Sequence, residues 1–428
     1  MNSQLSKGEI QESAMTISLF LFVLLLLCVM TVSNCFDTRN SVAKVENRMM
    51  APLPKLRLRS PQLASFPAAF NAFYNDRFAL RTELILAINY LRYKGFSVSN
   101  SPCVAIGKHQ WLFFLDGGDE ETARHYPLFS QEELESWGRT LEARRLWLAA
   151  RHCKFLFVVA PSKCSIYGEE LPAAYKPIGE QSRQDQLLDY LRSNTKVSVI
   201  DVRPSLNEAK KFIRLYYYTD THWTHVGAYV AYVKIAERLK SWFPQIRTIP
   251  FSSMRIDYIN FANGDLQNML GLHGLIPETA SRALPKSCFT YRTSLTELKD
   301  YSEVTHRANA PFATELDNSQ LPRAFCLRDS FMSAVAPLLS ESFSRVDYYW
   351  QQEFPNRLIE HAKPDVVIEE LVERELVRWD PVNSPEVNQV FDQEYLAKSS
   401  SIDKSKLAGT RNSHIRFSSD NPFYNGYV

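Results

Sequence analysis

The sequence predicts an α/β domain, a parallel sheet with helices on both faces, preceded by one N-terminal transmembrane helix. Three observations carry that expectation. An uncharged apolar run fills residues 14–32. Helix-like and strand-like stretches alternate along the following chain, the pattern of a parallel sheet with crossover helices. Polar residues collect where a strand-like stretch meets the next helix, and such sheets place their sites at the carboxyl ends of strands. Composition is compatible: of 428 residues, 45% are hydrophobic and 22% charged, which supplies a packed core and excludes a wholly disordered chain. The 49 Lys and Arg nearly balance the 47 Asp and Glu, for a formal net charge of +2. No broad basic surface for nucleic acid follows from that balance. With 14 Gly and no fixed period, collagen, propeller and solenoid architectures are also excluded. The seven Cys (28, 35, 103, 153, 164, 288 and 326) show no CxxC pair and no Cys–His metal spacing.

In chain order, the apolar run comes first. Nineteen helical residues rise roughly 28 Å, close to the ~30 Å hydrocarbon core of a bilayer. Residues 14–33 are therefore read as an anchor behind a cytoplasmic stub, 1–13. A cleaved signal peptide is the alternative, but the run exceeds the usual h-region of about 7–15 residues and no A-x-A site follows it. Lys7 before the span and Arg39, Lys44 and Arg48 after it do not decide the orientation. Residues 34–66, polar and basic with Pro52, Pro54 and Pro61, read as a tether.

The main domain is expected over 67–376. Ser130 with Glu133 makes a capping box for a helix carrying Leu134, Trp137, Leu141 and Leu148 on one face. Phe155 to Ala160, closed by Pro161, is a buried strand by length and flanks. A second capped helix (Ser182, Asp185, then Leu187, Leu188 and Leu191) leads to the strand-like stretch 197–202. Two later segments repeat the strand-to-helix pattern. Tyr216-Tyr217-Tyr218 precedes Thr219-Asp220-Thr221-His222-Trp223-Thr224, with Thr224 as a cap, and Ala324 to Leu327 precedes Arg328-Asp329-Ser330 and a helical stretch over 331–343. The polar, Ser/Asn-rich residues 377–428 read as a loosely ordered tail.

The junctions hold the candidate chemistry. A serine nucleophile needs an imidazole to take its proton, and the imidazole needs a carboxylate to fix its tautomer. Ser330, His222 and Asp220 supply one of each. The helix onset after Ser330 would offer backbone N–H groups to a developing oxyanion. Taken singly, a serine at a helix start is more often a cap, and a lone histidine is more often structural. Asp220, His222 and His225 could instead be metal ligands, although a helix beginning at Thr224 separates His225 from the other two.

Together and in order, these stretches resemble the alginate O-acetyltransferase family, extracytoplasmic acetyltransferases with an SGNH-hydrolase-like domain. The resemblance runs from about Glu46 to Glu375. It is carried by Asn47-Arg48 with Ala51-Pro52, the stretch from Phe73 to Arg81, Gly107 to Phe113, and Ala160 to Tyr167. Asp220-Thr221-His222-Trp223, Gly264-Asp265-Leu266, Arg328-Asp329-Ser330-Phe331 and Pro364 to Ile368 continue it. The resemblance implies Ser330 as nucleophile, His222 as general base and Asp220 as its orienter, in an order opposite to that of ordinary SGNH hydrolases. No glycine precedes the Asp329-Ser330 pair, where Arg328 stands, so the other oxyanion donors are unassigned.

The reading that follows is a periplasmic, inner-membrane O-acetyltransferase that carries acetyl on a serine to hydroxyls of an exopolysaccharide. Its expected partners are that polysaccharide, a multi-spanning membrane acyltransferase that delivers the acetyl donor, and the membrane through the N-terminal helix. It calls for no cofactor, no metal and no nucleic acid. Trp223 is the candidate for stacking on a sugar, or else a core aromatic. Lys163 and Tyr167, just past a strand end, either line the site edge or are a solvated lysine and a packed tyrosine. Arg77 and Arg81 are expected in structural ion pairs. An acetylesterase with the same triad and a non-catalytic scaffold of an export complex are the alternatives.

Overall fold

In the computed structural model the described residues are 17–18, 20–22, 24–25, 49–55, 62–76, 81–261, 263–285, 311–350 and 353–399. Among them, ten strands form three sheets. A short antiparallel pair, β1 (Val104–Ile106) and β2 (Leu112–Phe114), precedes the main sheet. The main sheet uses β3 (Lys154–Ala160) and β4 (Ser198–Asp201). A two-stranded ribbon of β5 (Met254–Phe261) and β6 (Glu278–Pro285) is inserted before β7 (Phe312–Glu315), β8 (Arg323–Leu327), β9 (Arg345–Tyr349) and β10 (Val366–Val372) complete it. The spatial order is β4-β3-β10-β8-β9-β7; all neighbours are parallel except β7, which runs antiparallel to β9 at one edge.

The capping boxes at Ser130 and Ser182 both form, starting helices Gln131–Ala149 and Arg183–Asn194. Thr224 accepts from the Gly227 N–H at the start of helix His225–Trp242. Side chains alternate across each strand, so β3 sends Leu156, Val158 and Ala160 to one face and Phe155, Phe157 and Val159 to the other. The first face is covered by helices His225–Trp242 and Met332–Leu339. Helices Gln131–Ala149 and Arg183–Asn194 cover the second. The parallel sheet with helices on both faces is thus present.

Two expectations change. Tyr216 to Tyr218 form no sheet strand; Tyr216 makes only an isolated bridge with Trp223. The loop closes on itself instead, with Tyr217 N donating to the His222 carbonyl and Thr224 N to that of Leu215, so its backbone groups need no strand neighbour. The chain beyond residue 377 is not simply a loose tail. Pro385–Ser399 is a helix packed on Gln131–Ala149, with Val387 fully buried and Val390 and Phe391 half-buried against the second face.

Of the apolar run, only Ile17, Ser18, Phe20 to Phe22, Leu24 and Leu25 are described, all helical and exposed. The remainder of the expected anchor lies outside the described residues. Among the described residues no helix is long and apolar enough to cross a membrane. Arg77 and the Arg81 side chain, expected in ion pairs, also lie outside the description.

Candidate active site

Ser330 stands three residues past the end of β8, at the carboxyl edge of the sheet, and is half-buried. Its neighbour Asp329 ties this turn to the adjacent strand. Asp329 Oδ2 accepts from Val372 N at 2.7 Å, Oδ1 accepts from Phe331 N at 2.8 Å, and its own N–H donates to Glu370 Oε2 at 3.1 Å. Burial and the charge of Asp329 push the Glu370 carboxyl well above the usual range. The Phe331 amide, the first N–H after the nucleophile, is therefore occupied and not open to an oxyanion as the helix-onset argument expected.

The base loop is held by side chains. Lys163 reaches from the end of β3 to donate to the carbonyls of Tyr217 (3.0 Å) and Tyr218 (3.4 Å). Glu278, on β6, accepts from Tyr218 N, Thr219 N and Thr219 Oγ1 at 3.2, 2.8 and 2.9 Å. The Thr219 carbonyl accepts from both Leu266 N and Gln267 N. This contact brings Gly264 so close that a Cβ there would collide with Thr219 O. Asp265 completes the clamp, accepting from Thr221 N at 2.8 Å and from Thr221 Oγ1 at 2.5 Å while its N–H donates to Asp220 Oδ2 at 3.0 Å.

Within this frame three side chains meet. His222 Nδ1 lies 2.7 Å from Asp220 Oδ1, and His222 Nε2 lies 2.7 Å from Ser330 Oγ. A carboxylate can only accept, so Nδ1 carries the proton and the Nε2 lone pair faces the serine hydroxyl. Burial alone would raise the Asp220 carboxyl; the hydrogen bond and charge of His222 outweigh it and hold Asp220 at about 2. Burial would depress His222, but Asp220 and the nearby Asp265, 3.9 Å from Nδ1, raise it above its ordinary value. The His222 side chain remains 29% exposed, leaving the pair accessible from solvent. This arrangement can deprotonate a serine and stabilise the resulting imidazolium.

Ligand atoms of Asp220, His222 and Asp265 also lie within 4.8 Å of one another. Every carboxylate oxygen in that group already accepts from a protein donor, and Nε2 faces Ser330. His225, considered with the loop pair as a ligand, is not in the cluster.

The three expected substrate contacts are placed elsewhere. Trp223 is 3% exposed and its Nε1 donates to the Phe331 carbonyl at 3.0 Å, so its faces are not available to a sugar. It joins the base loop to the nucleophile turn instead. Tyr167 is buried, stacked on Trp111 at 4.3 Å between ring centroids, with its hydroxyl accepting from Leu215 N. Lys163, 5% exposed, is neither solvated nor at the site edge. Burial lowers its ammonium to about 8, and it serves the loop carbonyls. Sequence reasoning left Asp265 without a role although it stood in a quoted motif, and it gave no signal for Glu278 or Glu370.

The family described as SGNH hydrolase-like domain, acetyltransferase AlgX, matches residues 104–309, which include Asp220, His222 and Asp265 and end before Ser330. A protein of Pseudomonas aeruginosa described as a probable alginate O-acetylase, AlgJ, is 27% identical over 226 residues, covering 50% of this chain and 52% of its own. The Azotobacter vinelandii protein of the same description is 26% identical over 226 residues, covering 49% and 52%. The chain thus spans about half the length of these curated relatives. The solved O-acetyltransferase domain of Pseudomonas putida AlgJ is 19% identical, covering 68% of this chain and 100% of its own, with a TM-score of 0.43. The family match and the two named relatives make the chain similar, over about half its length, to the alginate O-acetyltransferase family.

Proposed function

We propose that the chain is an O-acetyltransferase that modifies hydroxyls of an exopolysaccharide through an acetyl-serine. The observation that carries the reading is the unbroken line from Asp220 through His222 to Ser330, with 2.7 Å at both contacts. Ser330 Oγ attacks the acetyl carbonyl carbon of the donor while its proton passes to His222 Nε2. The donor's leaving group departs with that proton. A sugar hydroxyl then attacks the acetyl-serine, gives its proton to His222 Nε2, and Ser330 Oγ leaves and takes it back. General-base assistance of this kind is worth about 10²–10⁴ in rate.

Residues 14–33 anchor the chain in the inner membrane in this proposal, and the domain faces the periplasm, where a multi-spanning acyltransferase supplies the acetyl group. The relatives' description as alginate O-acetylases supports a polysaccharide acceptor. Incubating the purified full chain with an activated acetyl ester and an alginate oligosaccharide tests this. Acetylated sugar is the expected product, with Ser330→Ala and His222→Ala inactive. Free acetate as the sole product would make the enzyme an esterase. Transfer that survives both substitutions in folded protein would remove the triad from the mechanism.

A further inference from the structure

Resting on the polysaccharide reading above, we infer that Arg374 is the acceptor-recognition residue of this site, binding a carboxylate of an acidic sugar beside the Ser330–His222 pair. Arg374 lies two residues past the end of β10, the strand between β3, which leads to Lys163, and β8, which leads to Ser330. Its guanidinium carbon is 5.9 Å from the centre of the Phe331 ring and 5.7 Å from that of Phe114. The Phe331 ring is in turn 5.0 Å from the His222 ring. The cation therefore shares an aromatic neighbour with the base.

Few of the Arg374 donors are engaged. A guanidinium presents five N–H groups in a rigid fork suited to a carboxylate. Arg203 closes on both oxygens of Asp201 at 3.0 and 2.8 Å. Arg144 uses Nε, Nη1 and Nη2 on Asn383, Glu369 and the Val382 carbonyl. Arg374 makes one long hydrogen bond, 3.4 Å to Asp119 Oδ2, among the described residues. That pair is unfinished on both sides: Asp119 Oδ1 is buried with no partner, whereas no Arg374 nitrogen is buried and unpartnered. The remaining N–H groups thus open toward solvent, from a side chain 17% exposed.

Charge explains why a cation would be needed here. Asp119, Asp329 and Asp265 all lie close enough to act on the Arg374 charge, and a polyuronate would meet them with a carboxylate on every residue. The net charge of +2 gives no long-range attraction to offset that repulsion. Lys163, another cation at this end of the sheet, is buried on backbone carbonyls. A neutral sugar would have no use for the open fork.

The test measures equilibrium binding to the full chain in the Ser330→Ala background, which prevents turnover. The probes are a short alginate-derived oligosaccharide and the same oligosaccharide with its carboxyls reduced to alcohols. Removing a charge-assisted contact worth about 1.5–3 kcal/mol weakens binding roughly ten- to a hundredfold. Arg374→Gln is expected to lose that much affinity for the acidic probe and none for the reduced one, with Arg374→Lys recovering part of the loss. Equal loss for both probes, or no loss for either, would overturn the assignment. If the parent chain binds neither probe, the polysaccharide reading itself fails, an outcome visible before any Arg374 variant is compared.

Discussion

The proposed nucleophile and the proposed base reach the same point by different routes. Ser330 arrives on the sheet: β8 lies between β10 and β9, and Asp329 fastens the turn to β10 through Val372. His222 arrives on a loop that belongs to no strand of that sheet, fixed by Lys163, Glu278 and Asp265 from three separate elements. Backbone ladders position the first, and polar side chains position the second. A sheet shares its strain over many bonds and fails as a whole. A clamped loop can fail alone, shifting the base while the domain stays folded.

Breaking the base side at its centre should have the largest effect. In Asp220→Asn the amide can donate to His222 Nδ1 and favour the wrong tautomer, and transfer is expected to fall about 10⁴-fold with little change in thermal stability. Steady-state acetyl transfer beside a melting curve checks both halves. The sheet side offers the converse. Arg144→Met strands Glu369 of β10 as an unpaired carboxylate in the interior, the two side chains being 0% and 4% exposed. A loss of about 3–5 kcal/mol is expected, read by denaturant unfolding, while the rate per folded molecule stays near the parent's. A fall in that rate with no loss of stability would contradict the division of labour.

Gly264→Ala sharpens the comparison further. The added methyl meets the Thr219 carbonyl, and the displaced loop carries Asp220 and His222 away from Ser330. Misplacement by about 1 Å costs on the order of 10²-fold in rate. Slow transfer with normal binding of the oligosaccharide is the expected split between kcat and KM; an unchanged kcat would show that the loop absorbs the methyl.

Much of this was legible in the sequence where the signal was local. Ser130 and Ser182 announce their helices by capping boxes, and Phe155 to Ala160 announce a strand by unbroken apolarity. Asp220, His222 and Ser330 could be named because their residue types define a chemistry. The clamps could not be. Glu278 lies on a ribbon strand 59 positions from Thr219, and nothing in Glu-Thr-Ala marks it as an acceptor for a distant amide. Trp223 could be read only as a sugar platform or a core aromatic, and Lys163 only as a site-edge or a solvated lysine, for a related reason: proximity in sequence to a candidate site residue says nothing about which way a side chain points. The tail helix was hidden because its stability comes from packing on Gln131–Ala149, with Val387 as its buried contact, and its own composition is polar.

The smallest predicted effect separates the two duties of Asp265. As a clamp it holds Thr221; as a charge 3.9 Å from His222 Nδ1 it helps raise the imidazole. Only neutral His222 can take the Ser330 proton, so activity falls as pH drops through the His222 value. Asp265→Asn keeps an acceptor for Thr221 N, and the Thr221 hydroxyl can reverse its role and accept from the amide. Removing the negative charge lowers His222, so the acid limb of the pH–rate profile should move to lower pH, with the plateau rate largely retained. A limb that stays in place while the plateau drops would make Asp265 purely a clamp. Movement toward higher pH would mean that the charges around His222 act in the opposite sense, and the electrostatic half of the contrast between loop and sheet would fall with it.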